Sequence, residues 1–97
     1  MLTMETARKI GVNACIDKLG RNFVLKYRES STASYTTEAD ENGNVFCFVG
    51  VDNNPASRKH DPDVLILDGT SKYPYYVSCN VNLNTEKVEF VDVAIPA

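Results

Sequence analysis

Residues 1–20, MLTMETARKIGVNACIDKLG, read as one amphipathic helix, and that reading decides the fold class. Thr3 is an N-cap residue type, Glu5 follows in the first turn where a carboxylate meets the positive end of the helix dipole, and Gly20 is a stop signal. Between them Met4, Gly11, Val12, Cys15, Ile16 and Leu19 recur at helical spacing on one face, with Thr6, Asn13 and Asp17 opposite. This stripe is the expected core side. Gly11 and Cys15 near its middle, with Ala7 and Ala14 at the flank, allow the close backbone approach of a helix seated on a sheet. Contact with the helix of a second protomer is the alternative use of the same small residues.

Nearly everything after Asn22 alternates with the period of strands, punctuated by turn residues. Residues 22–28 set Phe23, Leu25 and Tyr27 against Val24, Lys26 and Arg28, and are expected to pair as a hairpin with residues 33–40. Asn42-Gly43 is the strongest turn signal in the chain and predicts a type I′ hairpin. The register it implies sets Ala39 opposite Phe46, Thr37 opposite Phe48 and Tyr35 opposite Gly50, so that the Tyr35 ring would cover a glycine. Residues 53–63 are polar, hold two prolines and read as the longest loop, followed by a short strand at 64–67. Tyr75, Val77, Cys79, Val81 and Leu83 then alternate against Tyr76, Ser78, Asn80 and Asn82, the cleanest half-buried strand of the sequence. Asn84 to Lys87 turns the chain into a last strand, residues 88–95, which Pro96 stops.

The expected class is therefore α+β, with an N-terminal helix packed on an antiparallel, hairpin-connected sheet of about six strands, because strands joined by tight turns run antiparallel. The order of one helix followed by a meander is similar to the cystatin-like arrangement, in which a sheet wraps around an N-terminal helix. The likeness is one of architecture. The inhibitor loop of true cystatins carries a glutamine-containing motif and this sequence has no glutamine, so protease inhibition is not implied.

A chain of 97 residues, 43% hydrophobic and 24% charged, has the size and composition of one folded domain. A net charge of -3 and a pI near 5.0 disfavour nucleic acid as a partner. Charges at Glu5, Arg8, Lys9, Asp17 and Lys18 interrupt the N-terminal segment, so no signal-peptide core or membrane span is expected, and the expected location is cytoplasmic. Cys15, Cys47 and Cys79 are odd in number and lack any CxxC pair, which fits reduced, buried thiols better than a disulfide framework. They are equally spaced, but their flanks share no further pattern and no repeat is inferred.

No motif points to catalysis, and neither a cofactor nor a metal is expected. A Cys–His mechanism through His60 is disfavoured because the cysteines occupy apolar positions while His60 sits in a polar loop. Asp52, Asn54, Asp61 and Asp63 lack the ligand spacing of an EF-hand and read as a solvated loop. Simple pairing sets Glu38 opposite Cys47 and Asp92 opposite Cys79. The preferred readings are a solvent-exposed face for Glu38, and for Asp92 a bulge that turns Val91, Val93 and Ile95 inward. Tyr73 and Tyr76 are candidate binding anchors. Val45, Cys47, Val49 and Val51 are taken as the sheet face that one helix leaves uncovered.

The function expected from these features is a small interaction or regulatory module without catalytic machinery, binding a protein partner, or a second copy of itself, through a sheet edge or face. The alternative is a ligand-binding protein or enzyme with a pocket between helix and sheet, lined by Tyr27, Tyr35 and Asp92.

Overall fold

The computed structural model describes residues 1–52 and 73–96. It is an α+β structure in which a long helix, α1 (Met4–Leu19), lies across an antiparallel sheet. A short helix α2 (Arg21–Lys26) and a 3₁₀ turn (Arg28–Ser30) follow. Four strands then pair in sequence order: β1 (Ser31–Tyr35), β2 (Asn44–Val51), β3 (Tyr75–Asn82) and β4 (Val88–Ala94). Among the described residues this is fewer than the six expected. The strand expected at 64–67 and the loop at 53–63, with His60, Asn54, Asp61 and Asp63, lie outside the described residues.

The helix ends are those read from the sequence. The Thr3 hydroxyl accepts the Thr6 amide at 3.1 Å, and Gly20, at φ +115°, donates its amide to the Ile16 carbonyl. The chain does not go on into a strand, however. Residues 22–28 form α2 and the turn after it, where Phe23 and Tyr27, four apart, stack edge to face at 5.2 Å. Phe23 also meets Tyr75 at 5.4 Å and Val24 enters the core, while Leu25 is left 57% exposed. The spacing of Phe23 and Tyr27 satisfies both a strand and a helix face, and burial of Val24 beside Leu19 selects the helix.

The helix rests on the sheet along Ala7, Gly11, Cys15 and Leu19, a strict i, i+4 row, with Met4, Ile10, Val12 and Ile16 half-buried around it. Ala7 is central rather than flanking. Below the row lie Val45, Cys47, Val49 and Val51 of β2 and Val77, Cys79 and Val81 of β3, all buried. The β2 face expected to be uncovered is thus the one the helix covers, and Phe46 and Phe48 point the other way. The reason is size. A row of glycine, alanine and cysteine brings the helix so close that valine and cysteine fill the gap and a phenylalanine ring would not fit.

The β1–β2 register differs from the one implied by Asn42-Gly43. In this turn only Gly43 has positive φ, at 83°, and its amide bonds to the Asp40 carbonyl at 2.9 Å, so the tip is Glu41-Asn42 with glycine after it. The Asp40 carboxylate receives the Asn42 and Asn44 amides at 2.9 and 2.8 Å. Beyond the turn the chain shifts again between Thr36 and Asp40, and Tyr35 ends opposite Cys47, with Thr32 opposite Gly50. Glu38 is consequently exposed in the connection and does not face Cys47. Gly50 is covered by the Tyr73 ring instead of Tyr35, with Tyr73 Cγ 2.7 Å from where a β-carbon would stand.

Candidate functional site

Three places carry unusual chemistry or exposure. The first is the interior junction of the three cysteines, one from α1 and one from each central strand. All are free and fully buried. Cys47 and Cys79 are direct cross-strand partners, the Cys15 and Cys79 sulfurs lie 3.5 Å apart, and Cys79 donates to the Gly11 carbonyl at 3.6 Å. The equal spacing in sequence thus ends in one thiol cluster. The Cys15–Cys79 hydrogen bond holds Cys15 below its ordinary value, against burial, and pushes Cys79 up to about 12. Its hydrogen bond with Cys79, then burial, pushes Cys47 up.

All three thiols are closed to solvent and to any reagent in the folded state, so the cluster reads as core in spite of the lowered Cys15. It has a pH signature. Cys47 and Cys79 ionise near 9.0 when unfolded and higher when folded, so their contribution to stability is complete below pH 9 and is lost as pH rises above it. Unfolding free energy is expected to fall above pH 9 by about 1.4 kcal/mol per pH unit for each such thiol. Urea denaturation between pH 8 and 11 checks this, and Cys79→Ala should flatten the slope.

The second place is a groove of about 410 Å³ between α1 and the outer edge of β1, lined by Glu5, Arg8, Lys9, Val12, Asn13, Ala33 and Tyr35. Tyr35, one of the predicted binding residues, is here because the register shift turned it to the helix side. The Arg8 guanidinium lies 4.8 Å from the Tyr35 ring centroid and donates through Nη2 to the Thr37 carbonyl at 3.0 Å. Arg8 Nε is buried with no hydrogen-bond partner among the described residues. Such a donor costs about 1–3 kcal/mol when left unsatisfied. Lys9 is paired with Glu5 at 3.4 Å. Tyr27 lines a separate depression with Leu25 and residues 26–30, and Asp92 lines neither, so the structure does not bring Tyr27, Tyr35 and Asp92 together.

The third place is β4, an edge of the sheet among the described residues. A bulge between Ser78 and Cys79 sets Phe90 opposite Cys79 and Asp92 opposite Ser78, so Asp92 does not face a thiol. Val88, Phe90 and Val93, opposite Val81, Cys79 and Val77, share the helix-side face; Val88 packs half-buried against the core, while Phe90 and Val93 stay exposed. Phe90, Val91, Val93 and Ile95 are 41, 50, 42 and 48% exposed. Lys18 Nζ sits 5.6 Å from the Phe90 ring centroid. Glu89 and Asp92 face the far side, where the Ser78 hydroxyl accepts the Asp92 amide at 3.2 Å. The Asn82 amide bonds to the Lys87 carbonyl, and alternation along the ladder then directs the backbone groups of Val88 and Phe90 outward.

Tyr73 and Tyr76 lie on the far face of the sheet, both half-buried against Phe48, with ring centroids at 6.1 and 5.8 Å. Tyr73 packs over Gly50 and Tyr76 stacks on Phe48, and the more exposed apolar side chain of this face is Phe46. The sequence drew attention to these tyrosines and missed Arg8 and Phe90. Arg8 had no signal of its own, since a charge on a helix is usually solvated. Among the described residues no group of His, Cys, Asp and Glu is placed to hold a metal ion, and no helix is long and apolar enough to cross a membrane. Searches against protein-family models, curated proteins and solved structures return no match for this chain.

Proposed function

We propose that the protein is an interaction module that takes up an extended segment of a partner protein along the β4 edge, adding a strand to the sheet. The observation that carries this reading is where the exposed apolar surface lies. Of the eight large hydrophobic side chains exposed among the described residues, four fall within residues 90–95. Edge strands are ordinarily blunted by lysine, proline, bulges or extreme shortness; β4, seven residues of VEFVDVA, has neither lysine nor proline, and its single bulge falls between the pairings of Phe90 and Asp92. The β1 edge, STASY, offers hydroxyls and small side chains with the one exposed ring of Tyr35 in place of an apolar row.

The partner's chemistry follows from the two faces of β4. Toward the helix, Val88, Phe90 and Val93 favour apolar side chains in the added strand. Toward the far face, Glu89 and Asp92 favour lysine or arginine at the alternate positions. Pairing of two β4 strands from separate copies would line four carboxylates along one face, which favours a basic partner over self-association. The test is a titration of the isotope-labelled protein with a capped synthetic peptide of alternating lysine and valine, and with its glutamate counterpart. The lysine peptide is expected to bind more tightly, and Phe90→Glu to weaken it. Equal affinity for the two peptides, or binding indifferent to Phe90→Glu, would sink the reading.

A further inference from the structure

We propose that the groove between α1 and β1 is a second, separate binding site that takes a small organic carboxylate with an apolar body, seated on Arg8. The inference does not depend on the β4 edge, which lies across the sheet. Three observations converge on it. The groove, at about 410 Å³, has the size of a small-molecule site, and Val12, Ala33 and the Tyr35 ring give it an apolar wall. Its charges do not cancel. Lys9 is neutralised by Glu5, whereas Arg8 has no carboxylate partner in any ion pair among the described residues.

The Arg8 head group is also held in place without being satisfied. The Thr37 carbonyl holds Nη2 and the Tyr35 ring centroid lies 4.8 Å from the guanidinium carbon, yet Nε is buried and has no acceptor among the described residues. Nε is closed to solvent and out of a ligand's reach, but a planar cation with terminal N–H groups left over from the Thr37 bond, at a partly apolar wall, is complementary to a carboxylate. A dianion such as phosphate fits less well, because Glu5 stands on the same rim and Lys9 is already engaged. Asn13 offers little help to a ligand, since its Nδ2 donates to the Lys9 carbonyl and its Oδ1 accepts from Arg21. Arg8 therefore carries the charge recognition and Val12, Ala33 and Tyr35 the apolar contact.

The experiment is an amide-shift titration of the whole protein with benzoate, with benzyl alcohol as the uncharged analogue of the same shape and with inorganic phosphate as a bare anion. Benzoate is expected to give saturable shifts at Arg8, Val12, Ala33 and Tyr35, with benzyl alcohol and phosphate roughly tenfold weaker or more. Arg8→Gln should weaken benzoate by a similar factor, while Lys9→Gln should leave it nearly unchanged. Should Arg8→Gln fail to fold, the comparison of the three probes on the wild-type chain decides alone. Benzoate shifts that never saturate, that map elsewhere, or that benzyl alcohol reproduces at equal concentration would overturn the assignment. So would a folded Arg8→Gln protein that binds benzoate as well as wild type.

Discussion

Replacing Gly11 by leucine is expected to cost more than about 3 kcal/mol, enough to unfold a domain of ordinary marginal stability. A β-carbon at this position would stand 2.4 Å from Cys47 Sγ, 2.9 Å from Cys47 Cβ and 3.0 Å from Val81 Cγ2. Cys47 Cβ is fixed to the backbone of a central strand, so a rotamer change that moves Sγ or the Val81 methyl does not relieve the clash and the helix must lift. Lifting it would open the contact along Ala7, Cys15 and Leu19 as well. Alanine should be milder, because its better helix propensity returns about 1 kcal/mol against the overlap. Urea midpoints followed by circular dichroism measure both. A leucine variant with the wild-type midpoint would show that the helix does not sit on Cys47 and Val81.

The second large effect distinguishes the two faces of β2. Val49→Asp is expected to cost on the order of 3 kcal/mol or more, because Val49 is 2% exposed beneath α1 and a carboxylate there would have no water or cation. Phe46→Lys, three positions earlier, should cost much less, since that ring is 38% exposed on the far face and a lysine stem can lie along the sheet. The same denaturation experiment ranks them. If Phe46→Lys proved the more damaging, the helix would have to cover the opposite face.

The contrast between these two residues explains how much of the fold was legible in the sequence. The periodicity of residues 4–19 and the alternation from Tyr75 to Asn82 each have one reading, and both elements form as read. The segment from Val45 to Val51 is apolar on both faces, so alternation alone could not say which side meets the helix. What settles it is the small-residue row on α1, a property of the partner and not of the strand. At residues 22–28, Phe23 and Tyr27 suit a strand and a helix equally, and packing decided.

The register at Tyr35 was lost for a different reason. Asn42-Gly43 marks the turn correctly, but the Asp40 carboxylate gathers the Asn42 and Asn44 amides and moves the tip one residue back. A further shift between Thr36 and Asp40 then completes the change of face. Tyr35 consequently met Arg8 in the helix-side groove, a contact no local spacing could announce. At β4 the preferred bulge does form. Val93 lies on the helix-side face, though exposed, and the exposed row it makes with Phe90 is visible only once the reach of α1 is known.

The most direct test of the β4 reading is amide hydrogen exchange of the protein with and without the alternating lysine–valine peptide. The backbone groups of Val88 and Phe90 point away from β3, so in the free protein their amides should exchange readily. With the peptide bound as an added strand, both should slow markedly while Ala33 and Tyr35 on the opposite edge stay unchanged. Protection that appears at β1 and not at Val88 and Phe90, or at neither edge under saturating peptide, would contradict the account.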